Sequence, residues 1–68
     1  MRYVKNINDP VYDLEGNITT INELNSAGLI SFEKWTDDET KRNTYVAVFK
    51  GSTIGWRVNY RSWLSKSK

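Results

Sequence analysis

The chain has 68 residues, ten basic and eight acidic side chains, a net charge of +2, and neither histidine nor cysteine. A chain of this length forms one domain, residues 1–68, and the lack of cysteine excludes disulfides and thiolate metal sites. Because the commonest acid/base groups and nucleophiles are missing, we expect no enzyme activity, no cofactor and no metal. No apolar run approaches the roughly 20 residues of a membrane span, and we expect a cytoplasmic protein.

The N-terminal twenty residues predict short extended segments. Arg2 to Ile7 alternates loosely as a strand does, and Pro10 ends it because proline cannot donate a hydrogen bond within a sheet. Residues 11–14 form a second extended segment, and the turn residues 15–17 allow the chain to reverse into a hairpin. We expect this region to supply one or two strands at the edge of the main sheet.

A short helix is predicted at residues 21–27. Thr20 and Glu23 have the spacing of a capping box, in which each side chain bonds the backbone N–H of the other residue. Ile21 and Leu24 share one face, and Gly28 follows where a left-handed C-cap is favoured. Such a short helix is unstable alone, so its apolar face must pack on a sheet.

A three-stranded antiparallel meander is predicted over residues 29–35, 44–50 and 53–59. The middle segment, TYVAVFK, is rich in β-branched and aromatic residues, and eight polar residues precede it as a solvated loop. Gly51-Ser52 suits a two-residue type II′ hairpin loop between the second and third strands.

That hairpin fixes a register, and the register separates two faces. Ala47 then lies opposite Trp56, and Val46 lies opposite Arg57 on the other side. The predicted core face carries Tyr45, Ala47, Phe49, Ile54, Trp56 and Val58. The predicted outer face carries Thr44, Val46, Val48, Lys50, Thr53, Gly55, Arg57 and Asn59.

The last residues, 60–66, predict a second short helix with Asn59 as its N-cap. Tyr60, Trp63 and Leu64 lie at i, i+3 and i+4 and form one apolar face, which packs on the sheet. The complete prediction is therefore a small α+β domain, with both helices on the core face of the meander.

Basic residues late in the chain favour a non-enzymatic protein that contacts nucleic-acid phosphates. Gly55 leaves a shallow spot on the outer face beside Lys50 and Arg57. The C-terminal helix extends the positive charge toward the end of the chain. The predicted nucleic-acid-binding residues are Lys50, Arg57, Arg61, Lys66 and Lys68.

A protein partner is the alternative. Val46 and Val48 beside Gly55 make the outer face more apolar than solvation requires, and Arg57 borders this patch as it would border a docking surface. The N-terminal segment or the first helix would otherwise cover the patch. Exposed sheet edges also allow a homodimer through edge pairing.

Overall fold

Six strands and two short helices build the α+β fold seen in a computed structural model, which describes residues 1–66. The strands are β1 (Arg2–Val4), β2 (Pro10–Tyr12), β3 (Ile18–Thr20), β4 (Ile30–Thr36), β5 (Asn43–Phe49) and β6 (Gly55–Val58). The helices are α1 (Ile21–Ser26) and α2 (Tyr60–Lys66). Neither helix has the length and apolar character needed to cross a membrane.

The main sheet has four strands in the order β1-β6-β5-β4. The meander of β4, β5 and β6 is antiparallel, as the sequence predicts, and β1 is added at one edge parallel to β6. The antiparallel pair of β2 and β3 forms a separate two-stranded sheet, which is the predicted N-terminal hairpin. The two edges of the main sheet therefore differ. Strand β1, at one edge, has three residues, and strand β4, at the other edge, has seven.

The predicted register between β5 and β6 is confirmed. Ala47 pairs with Trp56, and Val46 pairs with Arg57. The side chains of Ala47 and Trp56 are buried, whereas Arg57 is exposed on the opposite face. The alternation of side chains along the two strands thus separates core from surface as expected.

The connection from β5 to β6 is longer than the predicted two-residue loop. The Ser52 N–H donates to the Phe49 carbonyl over 3.0 Å, and Gly51, with φ of +78°, is the third residue of that turn. The Ser52 hydroxyl then accepts from the Ile54 N–H at 2.8 Å, a local bond that removes this N–H from the ladder although the Ile54 carbonyl still accepts from the Phe49 N–H at 2.9 Å. The prediction that Ile54 lies in the core is wrong, since 59% of it is exposed.

One hydrophobic core lies between the sheet and the elements packed on it. Ile21 and Leu24 of α1 and Val11 of the hairpin contact the core face of the sheet. The buried members are Val4, Val11, Ile21, Leu24, Ile30, Ala47, Phe49, Trp56 and Val58, with Ile7, Phe32, Tyr45 and Trp63 partly buried around them. The predicted core role of Trp56 is confirmed.

Both ends of α1 are capped by the residues that the sequence indicates. The Thr20 hydroxyl accepts from the Glu23 N–H at 3.1 Å, but the Glu23 carboxylate accepts from the Thr19 hydroxyl rather than from the backbone of Thr20. Gly28 has φ of +73°, and the Leu29 N–H donates to the Leu24 carbonyl at 3.0 Å. This is a Schellman motif, and it turns the chain directly into β4.

Helix α2 begins at its predicted cap and is anchored to the N-terminal part of the chain. The Asn59 Oδ1 accepts from the Ser62 N–H, and its Nδ2 donates to the Lys5 carbonyl, both at 2.7 Å. Trp63 packs against Tyr45 with ring centroids 4.8 Å apart, which docks the helix on the core side. No residue of α2 is fully buried, so the helix is attached more loosely than α1.

Candidate functional site

The outer face is the face of the main sheet opposite the core. Side chains of all four strands form it. Both helices contribute to the core on the other side, so neither covers this face. Strand alternation places nine residues on the outer face. They are Tyr3, Ser31, Glu33, Trp35, Thr44, Val46, Val48, Gly55 and Arg57.

The floor of the outer face is closed. Val46 and Val48 have no exposed surface, so the prediction that they form an exposed apolar patch is wrong. Val46 lies between Glu33 on β4 and Arg57 on β6, and these long cross-strand neighbours shield it. A partner therefore meets the flanking side chains rather than the two valines.

Gly55 also differs from its predicted role as an open spot for a partner. A Cβ added to Gly55 would lie 2.6 Å from the Cα of Val48. The strands β5 and β6 approach each other too closely here for any side chain, so this glycine serves the packing of the sheet itself.

Arg57 is placed over an aromatic ring at the edge of the outer face. Its guanidinium carbon lies 5.8 Å from the ring centroid of Tyr3, its neighbour in the parallel β1–β6 pairing. Tyr3 is 48% exposed and Arg57 is exposed. This distance falls within the range of cation–π contacts, which hold the guanidinium while leaving its hydrogen-bond donors accessible.

On the other side of Val46, a carboxylate fixes an aromatic side chain. Glu33 accepts hydrogen bonds from the Trp35 indole N–H and the Ser31 hydroxyl, both at 2.9 Å. These two bonds, with the indole contributing most, lower the pKa of the Glu33 carboxyl below its ordinary value. Trp35 is consequently held in one orientation at the surface.

A shallow depression of about 280 Å³ lies between Trp35 and Arg57. Val46 contributes to its lining, with Trp35 and Arg57 among the other contributors. Met1, Thr36, Asp37 and Thr44 complete the boundary. The depression combines an aromatic wall, a cation and a carboxylate within one small concave area.

The predicted basic stripe is not brought onto one face. Arg57 is on the outer face, whereas Arg61 and Lys66 are exposed on α2, which packs on the core side. Lys50 follows the end of β5 and lines a different depression of about 290 Å³ with Leu24 and Leu29. Lys68 lies outside the described residues. The role of these residues in binding nucleic acid stays a prediction.

A second aromatic group is located at α2. Tyr45 contacts Tyr60 and Trp63, with ring centroids 5.0 and 4.8 Å apart. The Trp63 Nε1 is buried and has no hydrogen-bond partner within residues 1–66. This group docks the helix, and we assign it no binding role.

Two site residues, Tyr3 and Trp35, are absent from the predicted set. The alternation of side chains along a strand, which identified Arg57, also applies to these two residues. It assigns them to the outer face only when the pairing partners of β1 and β4 are known. Over residues 1–66, no three potential ligands among His, Cys, Asp and Glu come together as a metal site.

The chain was compared with protein-family models, with curated proteins and with solved structures. None of the three comparisons finds a match.

Proposed function

We propose that this protein is a non-enzymatic binding domain that docks on another protein through its outer face. The observation that carries the proposal is the depression above Val46, which Arg57 and Trp35 line while Tyr3 lies against Arg57. Arginine, tyrosine and tryptophan are the residue types that most often dominate the energetics of protein interfaces.

Preorganisation supports this assignment. Glu33 holds the Trp35 indole, and the Tyr3 ring lies against the Arg57 guanidinium. Side chains that are already fixed lose less conformational entropy when a partner binds. The closed floor formed by Val46 also keeps water from entering beneath them.

The charges of the outer face favour protein over nucleic acid. Glu33 on β4 is the cross-strand partner of Val46, and Asp37 lines the same depression as Arg57. A phosphate backbone binds through several cations acting together, whereas this face offers one guanidinium and two carboxylates, which repel phosphate. A protein surface with both signs of charge complements the same arrangement.

Site-directed photocrosslinking in cells of the native host tests the proposal. The crosslinking amino acid p-benzoylphenylalanine replaces Tyr3 on the outer face or, as a matched control, Tyr60 on α2. These two tyrosines are 48% and 53% exposed, so accessibility alone does not separate them. We expect a discrete protein adduct from position 3 and none from position 60. An adduct only from position 60, or only nucleic acid crosslinked at position 3, would refute the proposal.

Nucleic acid is the second candidate, with Lys50, Arg57, Arg61, Lys66 and Lys68 as the proposed contacts. The exposed Tyr3 ring beside exposed Arg57 supports it, because aromatic and guanidinium groups together suit an unstacked base. Amide-resolved NMR titration with a duplex and a single strand, at low and moderate salt, tests this candidate. Salt-sensitive shifts at these residues would favour it, and unchanged spectra at low salt would exclude it.

A further inference from the structure

Strand β4 forms one edge of the main sheet, and two hydrogen bonds fix the direction of its backbone groups. The Lys50 N–H donates to the Leu29 carbonyl at 3.1 Å, and the Asp37 N–H donates to the Arg42 carbonyl at 2.9 Å. Both pairs continue the β4–β5 register beyond its two ends. In an antiparallel ladder such bonded pairs recur every second residue, so the odd-numbered residues of β4 direct their backbone groups at β5.

The even-numbered residues of β4 direct their N–H and C=O groups away from the sheet. These residues are Ile30, Phe32, Lys34 and Thr36. Within the part of the chain that the structure describes, their backbone groups make no hydrogen bond to any other element. The opposite edge is only three residues long, so β4 is the one long edge of this sheet in residues 1–66.

The charges on β4 disfavour pairing with a second copy of the same strand. A two-fold axis perpendicular to the sheet relates two antiparallel edges, and full overlap places Glu33 opposite Glu33 of the other copy. Moving the axis by one residue places Lys34 opposite Lys34. Like charges directly opposite each other destabilise a strand pair. A third register, centred on Phe32, pairs five residues. It places Glu33 across from Ser31 and Lys34 across from Ile30, so neither charge gains an ion pair.

We infer that β4 accepts an extended segment of a partner protein as a fifth strand of the sheet. The complementary segment carries a basic residue opposite Glu33 and an acidic residue opposite Lys34, with apolar residues opposite Phe32 and Trp35. This inference rests on the proposed function, because the added strand extends the outer face next to Trp35. Backbone bonds supply affinity, and the two charge pairs supply register and specificity.

A seven-residue peptide provides the probe. The capped peptide acetyl-Thr-Val-Glu-Lys-Val-Thr-Val-amide, laid antiparallel along β4, places its lysine opposite Glu33 and its glutamate opposite Lys34. The control peptide acetyl-Thr-Val-Lys-Glu-Val-Thr-Val-amide has the same composition with the two charges exchanged. Two attractive pairs become repulsive, so we expect the first peptide to bind roughly fivefold more tightly at low salt.

Amide-resolved NMR of the whole protein reports which edge is used. We expect shifts and slower hydrogen exchange at the amides of Phe32, Lys34 and Thr36, which point outward. The amides of Glu33 and Trp35 already donate to β5 and change less. Equal binding of the two peptides, or no change at the outward amides at millimolar peptide, would overturn the inference.

Two variants at one position provide the matched control. Lys34→Pro removes an outward N–H without touching the ladder to β5, whereas Lys34→Ala removes the charge and keeps the N–H. We expect the proline variant to lose peptide binding and the alanine variant to retain it with less discrimination between the peptides. Circular dichroism melting curves confirm that both variants fold.

The failure of this inference is distinguishable from failure of the proposed function. A protein adduct from position 3 without peptide binding would show that the partner docks on the outer face without adding a strand. Slow exchange at the outward amides that depends on protein concentration, in the absence of peptide, would show a second copy on β4 and would also overturn the inference.

Discussion

The Trp35 indole N–H donates to Glu33 Oε1 over 2.9 Å, two residues apart on the same face of an edge strand. The Ser31 hydroxyl completes the arrangement from the other side of Glu33. One carboxylate thereby connects three successive outer-face residues of β4. The charge of Glu33 is consequently linked both to the position of Trp35 and to the stability of the fold.

The pH dependence of stability follows from that link. Because the folded-state pKa of Glu33 is lowered, its contribution is fully present above the ordinary glutamate pKa of about 4.3 and is lost as the pH falls through the folded value. We expect the melting temperatures of wild type and Glu33→Gln to differ most near neutral pH and to converge in acid. Trp35→Phe removes the main donor, so an NMR titration should show the pKa of Glu33 moving upward. A difference in melting temperature that grows as the pH falls would contradict this account.

The core assignment predicts contrasting effects at two neighbouring apolar residues. Trp56 is buried among the core residues, with its ring centroid 5.5 Å from that of Phe49, and truncation to alanine should cost about 3–5 kcal/mol. Ile54 is mostly exposed, so Ile54→Ala should change the free energy of unfolding by about 0.5 kcal/mol or less. Urea denaturation monitored by circular dichroism measures both. Similar losses for the two variants would place Ile54 in the core after all.

Two glycines should resist substitution for different reasons. Gly55→Ala forces a Cβ against the backbone of β5, and we expect a loss of about 1–3 kcal/mol from that steric conflict. Gly51→Ala has open space around the Cβ but a φ of +78°, which costs an alanine about 1–2 kcal/mol. Gly51→Asn should recover part of the second loss, since asparagine tolerates that conformation, whereas Gly55→Asn should be worse than Gly55→Ala. Equal tolerance at both positions would contradict the register.

Asn59 performs two functions that a pair of variants separates. Asn59→Asp keeps an oxygen for the Ser62 N–H but loses the donor to the Lys5 carbonyl, and Asn59→Ala loses both. We expect the alanine variant to lose about 1–2 kcal/mol and the aspartate variant to lose less. Hydrogen exchange at β1 should accelerate in both variants, because the anchor between Lys5 and α2 is removed. Unchanged exchange at β1 would show that this anchor is unimportant.

The sequence predicted those parts of the fold that depend on local patterns. The period of two placed Ala47 and Trp56 on the core face, and the spacing of Thr20, Glu23 and Gly28 indicated α1 with its caps. Ile54 was misplaced because the hydroxyl of Ser52 holds its N–H outside the ladder, a local bond that alternation does not reveal. A pattern of alternation identifies faces only as far as the ladder extends.

The candidate site was predicted less completely because it depends on pairings between distant strands. Trp35 reaches the depression through the β4–β5 register, and an eight-residue polar loop left that register open in the sequence. Tyr3 reaches Arg57 because β1 pairs in parallel with β6 across more than fifty residues of chain. The burial of Val46 likewise requires knowing that Glu33 and Arg57 flank it across the two strand pairings.

The proposed function places a partner protein on the outer face, in contact with Arg57. The most direct measurement is the yield of the protein adduct from the crosslinker at position 3, compared between Arg57→Ala and Arg61→Ala. Both substitutions remove one exposed arginine, but only Arg57 lines the depression on the outer face. The account predicts that Arg57→Ala abolishes most of the adduct and that Arg61→Ala leaves it unchanged. Equal yields in the two variants, or a loss only with Arg61→Ala, would contradict it.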